Sequence, residues 1–356
     1  MTDVNEVEFA KIHTLNIPWL DSPFLETLLA ESDLDEESKK LVKQFADKGY
    51  LIIDTEIEDF DRLADRIIKE LEPHYVDPGR IQDAWTFNDA VRTIATAPKV
   101  LSILRLLYQR EPIPFQTLNF PKGTEQGTHS DSIHFHCVPT GFMCGVWVAL
   151  EDIDSNNGPL HYYPGSHKLP HFDLSILGFS GSFQQHTYEH YLIYEDFVQA
   201  LINNYGLEKV EICLRKGQAL IWAANLLHGG SPILDRTRSR HSQVTHFYFS
   251  SCMYYTPLLS DPFLKRIHLK NIKNIITGEV VKHFYNGREI KIVNGEGIVV
   301  ETTNDELDKM RLQLYKAKAK VEQLKSALCA VESSKFWKLR QQWFKLKKAL
   351  NLVKES

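Results

Sequence analysis

Residues 128–169, THSDSIHFHCVPTGFMCGVWVALEDIDSNNGPLHYYPGSHKL, constrain this chain more than any other stretch. Short apolar runs at 145–150 and 160–163 alternate with Gly, Pro and Asn, which bound strands by ending them in turns. The stretch opens with His129, Ser130 and Asp131. In a strand, residues two apart share a face, so the His129 imidazole and the Asp131 carboxylate could meet one metal ion. Two His and one carboxylate with open positions form the ligand set of non-haem Fe(II) oxygenases. The missing ligand would come from a distant strand. His228 ends the apolar run 217–223 and its turn, and precedes Gly229 and Gly230.

The rest of the chain divides around this centre. Residues 1–33 read as an arm, with Trp19, Leu20, Phe24, Leu25, Leu28 and Leu29 as an apolar face that packs on the main domain. The acids at 33–37 start a capped helix, followed by a strand at 50–54. Residues 58–72 and 88–109 read as amphipathic helices. Strands follow at 115–120, 145–150, 160–163, 217–223 and 242–249. The segment 170–208 is long for a plain loop and suits a lid or substrate wall. The fold class is therefore mainly β with flanking helices, in a double-sheet jelly roll of the cupin type, spanning 34–250. Residues 251–302 read as a small β appendage without chemistry.

From Leu307 the apolar positions 307, 310, 314, 317, 321, 324, 328 and 331 recur at alternating steps of three and four. That is the seam of a coiled coil over 303–332, with self-association expected through 305–332. Residues 333–356 read as a basic aromatic tail helix. Lys335, Lys338, Arg340, Lys345, Lys347 and Lys348 interleave with Phe336, Trp337, Trp343 and Phe344, which suits docking of 333–350 on an anionic membrane surface or a protein.

Together, the residues named so far resemble the phytanoyl-CoA dioxygenase family of Fe(II)/2-oxoglutarate oxygenases. The shared features are His129-x-Asp131, Trp147 eighteen positions after His129, the turn Asn157-Gly158-Pro159-Leu160, and Pro164-Gly165-Ser166-His167-Lys168. Leu227-His228-Gly229, Arg240 and His246 complete the set, over roughly residues 45–250. The resemblance implies Fe(II) on His129, Asp131 and His228, with 2-oxoglutarate as co-substrate. Arg240, six residues before His246, would bind the distal carboxylate, which prefers a planar two-donor partner. Ser231 stands one residue later than the family's Ser, because an extra Gly intervenes, so Gly230 and Ser231 compete for that role. Trp147 would pack near the co-substrate, and Arg80 takes the place of a basic contact that is usually Lys. The contact on the strand before the metal motif falls near Thr117. Relatives that halogenate carry a small residue in place of the carboxylate; Asp131 favours hydroxylation of an unactivated C–H, with release of succinate and CO2.

Several readings compete with these. A second His-x-Asp lies at His171 and Asp173, in the segment after Pro170. His134, His136, His161 and His167 read as structural or pocket-lining rather than ligating. Arg236 and Arg238 read as solvated loop charges. As alternatives to an oxygenase, a cupin-like metalloprotein could run non-oxidative chemistry such as isomerisation, or a non-catalytic assembly protein could act through its coiled coil. Arg240 argues against the first, and an intact His/Asp/His set against the second. The net charge of −5 argues against a nucleic-acid partner. Five scattered cysteines without a CxxC favour reduced thiols, and no apolar N-terminal run reads as a signal peptide. The expectation is a cytoplasmic protein, peripheral to the membrane through its tail. Its substrate would be a small molecule or a lipid- or glycan-linked one, used with molecular oxygen. The tail resembles C-termini of bacterial glycosyltransferase and methyltransferase proteins of cell-surface glycan pathways, which points to the glycan-linked class.

Overall fold

The computed structural model describes residues 16–76, 79–179, 187–262, 267–285, 287–290 and 297–298, together with Ala317, Lys320, Val321, Leu324, Lys325, Leu328 and Trp343. The chain separates into two units, residues 1–299 and 300–356. In the second unit the seven described residues are helical, and Val321, Leu324, Leu328 and Trp343 are exposed. The remainder of the expected coiled-coil seam and of the basic aromatic tail lies outside the described residues. Among the described residues no helix is long and apolar enough to cross a membrane.

In the first unit, helices α1 (Leu25–Glu31) and α2 (Glu36–Lys48) lead into strand β1 (Tyr50–Asp54). The Asp35 carboxylate accepts the Ser38 N–H at 2.7 Å and caps α2, and Glu36 and Glu37 fill its first turn. Gly49 ends it in the left-handed region at φ 80°, which a residue without Cβ adopts freely. Helix α3 spans Phe60–Leu71. The single helix expected over 88–109 is two, α4 (Asp89–Ala95) and α5 (Pro98–Tyr108). Pro98 is the cause: it has no N–H to continue the ladder and forces Ala97 out of the helical region, to ψ 123°. The N-terminal arm packs on this layer, with the Trp19 Nε1–H donating to the Leu107 carbonyl at 2.8 Å and Leu20 and Leu29 buried.

Strands β2 (Ile81–Gln82), β3 (Pro112–Phe120), β4 (His136–Val138), β5 (Met143–Ala149) and β6 (Leu160–Tyr162) precede helix α6 (Thr187–Tyr205). After it come β7 (Val210–Ile212), β8 (Gln218–Ala223), β9 (His228–Gly230), β10 (Ser242–Phe249), β11 (Met253–Tyr255) and β12 (His268–Leu269). Short strands β13 (His283–Tyr285), β14 (Arg288–Ile290) and β15 (Gly297–Ile298) follow. Among the described residues the largest sheet has the order β1-β8-β5-β10-β3-β2, all antiparallel; two smaller sheets run β7-β6-β9 and β15-β12-β11-β4.

The pleat of the large sheet separates two environments. Cys144, Val146 and Val148 of β5, with Ala219 and Ile221 of β8, pack against the helices. Trp147 and Ala149 of β5, with Leu220 and Trp222 of β8, face the opposite side, among Leu118, Phe120 and Val244. A sheet buried on both faces reads as a continuous apolar run, which is why 145–150 carries no alternation. Between the large sheet and the smaller ones lies a cavity of about 470 Å³.

The expected β appendage at 251–302 is instead part of the body. Its strand β11 pairs with β4, Met253 opposite Val138 and Tyr255 opposite His136. Tyr254 is fully buried, donates its hydroxyl to the Phe249 carbonyl at 2.7 Å and lies 4.6 Å from the Tyr248 ring. The sequence hides this because β4 is three residues long and its partner lies more than a hundred residues downstream. Truncating Tyr254 to alanine should therefore lower unfolding stability by about 3–5 kcal/mol, the range for large buried aromatics. Urea denaturation would measure it; a loss under about 1 kcal/mol would return this segment to the status of an appendage.

Candidate metal centre

His129 and His228 are joined before their side chains matter. They form an isolated antiparallel bridge, His129 N–H to His228 carbonyl and the reverse, both 2.9 Å. Directly opposed residues of such a pair sit side by side, and their imidazole centres are 4.6 Å apart. Asp131 arrives differently from the strand expected. His129 is a single bridge residue, and a 3-10 turn Asp131–Ile133 follows it, started by the Ser130 hydroxyl accepting the Ser132 N–H. The turn swings the Asp131 carboxylate back, so that Oδ1 lies 3.8 Å from Nε2 of both His129 and His228. Ligand atoms of all three buried residues fall within 4.8 Å of one another.

The surroundings select the ligating atoms. Nδ1 of His129 faces the Gly127 carbonyl and Nδ1 of His228 faces the Leu226 carbonyl, each at 2.9 Å. A carbonyl accepts only, so each Nδ1 carries the proton and each Nε2 presents a lone pair. The Trp222 Nε1–H donates to Asp131 Oδ2 at 2.8 Å, leaving Oδ1 for the centre. Burial, helped by neighbouring His228, lowers His129 to about 3, so its ring is neutral near pH 7. Burial alone would raise Asp131, but His228, His246, His129 and the Trp222 N–H outweigh it and hold the carboxyl below its usual range. A neutral imidazole at His129 beside a carboxylate is the protonation state a divalent ion requires there.

Trp222 was not legible as part of the site, and His246 was legible only as a landmark of the family's spacing. Trp222 fits only because Gly145, its register partner on β5, has no side chain; a Cβ there would overlap the indole. His246 Nε2 lies 3.7 Å from Asp131 Oδ2, and its Nδ1 donates to Gln116 Oε1 at 3.0 Å. Burial lowers His246 to about 4. The available signal was period two along β10, which points Val244 and His246 into the cavity and Gln243 and Thr245 toward α4.

The other histidines are engaged elsewhere. His171 meets the Thr140 hydroxyl at 3.3 Å, and Asp173 accepts from the Ser175 and Ile176 N–H groups, a local turn rather than a ligand pair. His161 is hydrogen-bonded to Thr128 and His167 to the Ala46 carbonyl. His136 packs against His171 and Tyr255. His134 does line the cavity, with Tyr191 of α6 5.0 Å from its ring. Tyr194 of α6 accepts the Ser130 N–H at 3.3 Å, so the segment expected as a wall lies directly over the metal-ligand turn.

The phytanoyl-CoA dioxygenase (PhyH) family model matches residues 27–242. The chain belongs to the phytanoyl-CoA dioxygenase family. Phytanoyl-CoA dioxygenase domain-containing protein 1 of Mus musculus is 35% identical over 80 residues, 21% of this chain and 28% of that protein. The peroxisomal phytanoyl-CoA dioxygenase of Homo sapiens is 24% identical over 195 residues, 53% of this chain and 49% of that protein. The chain thus spans between about a quarter and a half of the length of the curated relatives it matches. The crystal structure of the non-heme alpha ketoglutarate dependent carbocyclase SnoK from nogalamycin biosynthesis is similar over 62% of this chain and 87% of that one, at 16% identity and a TM-score of 0.49.

The co-substrate residues that the family implies fall in three groups. Arg240 and Trp147 line the cavity, with the guanidinium carbon 5.2 Å from the Trp147 ring centre. Arg80 is exposed and lines its mouth. Thr117 and Ser231 are not in the cavity wall. Thr117 is one register position off, since Gln116 and Leu118 take the cavity face of β3. Ser231 donates its hydroxyl to Glu211 at 2.7 Å, and Gly230 lines the cavity in its place. The extra glycine puts Gly230 at the end of β9 and leaves Ser231 beyond it. Arg236 and Arg238 are paired with Glu125 and Asp154 outside the cavity.

Replacing Trp222 with phenylalanine keeps the ring and removes the N–H that orients Asp131. Partners of this kind are worth roughly 10–100-fold in metal affinity. Mn(II) titration of the variant should show a loss of that order, and unchanged affinity would mean that Asp131 needs no such support.

Proposed function

We propose that this chain is an Fe(II)- and 2-oxoglutarate-dependent oxygenase that hydroxylates an unactivated C–H bond of a small organic, lipid-linked or glycan-linked substrate. The observation that carries the reading is Arg240. It is fully buried in the wall of the cavity that holds the His/Asp/His cluster, and one of its nitrogens donates to the Lys122 carbonyl at 3.1 Å. Its Nε and Nη1 are buried without a hydrogen-bond partner. Burial lowers Arg240 to about 10, so it is still charged near pH 7. An unpaired buried cation is costly, and a carboxylate in the cavity would give the unpartnered guanidinium nitrogens a charge-assisted acceptor. Non-oxidative chemistry at the metal would need no 2-oxoglutarate, and so no site for its distal carboxylate.

The residues present fit both groups. His129 and His228 would hold the iron through Nε2 and Asp131 through Oδ1, and Arg240 would receive the distal carboxylate, flanked by Trp147 and Phe120. When bound, iron and 2-oxoglutarate would support oxidation by O2: one oxygen atom would go to the keto acid, which becomes succinate and CO2, and the other into the substrate C–H. The protein's part is to orient both imidazoles through the Gly127 and Leu226 carbonyls and to hold the carboxylate through Trp222. Asp131 occupies the position that a halide would need, which supports hydroxylation.

Purified chain supplied with Fe(II), 2-oxoglutarate and O2 should release succinate, slowly without a substrate. His129→Ala or His228→Ala should abolish metal binding. Arg240→Lys should weaken 2-oxoglutarate binding by losing one charge-assisted hydrogen bond of roughly 1.5–3 kcal/mol, about ten- to a hundredfold. Metal affinity that persists in both histidine variants, or an unaltered 2-oxoglutarate affinity in Arg240→Lys, would refute the assignment.

A further inference from the structure

Lys270 lies in the segment that the sequence marked as chemically silent, yet its side chain lines the same cavity. Its backbone is clamped on both sides. Its N–H donates to the Tyr254 carbonyl at 3.0 Å, and its own carbonyl accepts from His283 Nε2 at 3.1 Å. The ammonium sits 4.5 Å from the Phe135 ring centre and 3.4 Å from the Thr256 hydroxyl. Among the described residues no carboxylate pairs with it, and burial lowers it to about 8. A cation held against a ring face and one neutral hydroxyl lacks the partner that would offset its desolvation.

The charges of the wall sharpen the point. Its basic side chains other than histidine are Arg80, Arg240 and Lys270, against one carboxylate, Asp131. Asp131 belongs to the metal. Even with both arginines given to the co-substrate, Lys270 remains uncompensated. It sits past the His246 end of β10: its charge acts on His134 and His246. Arg240 precedes the other end of that strand. Phe135, Leu258 and Leu259 supply apolar wall beside it.

We propose that Lys270 is a specificity-determining residue that receives an oxyanion, a carboxylate or a phosphate, on the oxidised substrate, whose apolar portion lies along Phe135, Leu258 and Leu259. This rests on the oxygenase reading and adds to it the class of molecule accepted: an amphipathic acid rather than a neutral compound. Thr256, beside the ammonium, would orient it toward the anion.

The test uses octanoate and octyl phosphate against octanol, binding to the full chain loaded with Mn(II) and 2-oxoglutarate, followed by ligand-observed NMR. At least one anion should bind tenfold or more tighter than octanol, and the stronger of the two identifies the oxyanion. Lys270→Met should remove that margin, and Lys270→Arg should retain it, with melting temperatures confirming that both variants fold. Equal binding of all three probes, binding of none, or a margin that survives Lys270→Met would overturn the proposal. Uptake of Mn(II) and 2-oxoglutarate by the unaltered chain is measured in the same samples. Its failure would sink the oxygenase reading, whereas its success beside an absent anion margin would sink this proposal alone.

Discussion

The two 2.9 Å backbone hydrogen bonds between His129 and His228 hold the site together. These residues are ninety-nine positions apart, and neither belongs to a long ladder at this point. A mutual pair of bonds sets their separation and direction at once, so the imidazoles need no further search to converge. The carbonyls of Gly127 and Leu226 then orient each ring from behind. Asp131 completes the set because the chain turns immediately after the bridge. A continued strand would have carried it along the sheet instead.

Around that bridge, side chains of opposite character share the same strands. On β5, Val146 and Val148 lean on the helices while Gly145 and Trp147 serve the cavity. Gly145 does so by absence, leaving the volume that the Trp222 indole fills on its way to Asp131. On β10, Gln243 donates to the Val91 carbonyl of α4, while Val244 and His246 face inward. Helix packing and site geometry are therefore coupled through the pleat. The register shift in the β10–β3 pairing lies directly after His246, next to the site, where bulges commonly re-aim a side chain.

The far wall of the cavity comes from Thr256, Leu258, Leu259, His268 and Lys270, on and beside the strand pair that extends β4. This wall differs in chemistry from the rest. It brings a lysine and leucines to a cavity whose cations Arg240 and Arg80 lie just before β10 and just before β2. The division suits a site with two organic occupants. On the proposed reading, one would pair with Arg240 and the other would lie against an apolar surface with a single charge.

Much of the centre was legible in sequence because its ligands are few and their chemistry is narrow. His129, Asp131, His228 and Arg240 could be named from residue type, spacing and resemblance, and the strands that carry the cavity from their apolar runs and turns. Helix α2 was readable from Asp35, its acids and Gly49, since capping is local. What failed depended on pairing. Thr117 turned away because one residue of register reverses a face, and no composition reports register. Ser231 was left beyond β9 by the extra glycine. Trp222, His246 and Lys270 joined the site only through contacts between distant strands, and β11 found β4 across more than a hundred residues. Sequence determined which groups exist and which turns are permitted. Tertiary structure alone decided which of them meet, because long-range strand pairing depends on the whole packed sheet rather than on any local stretch.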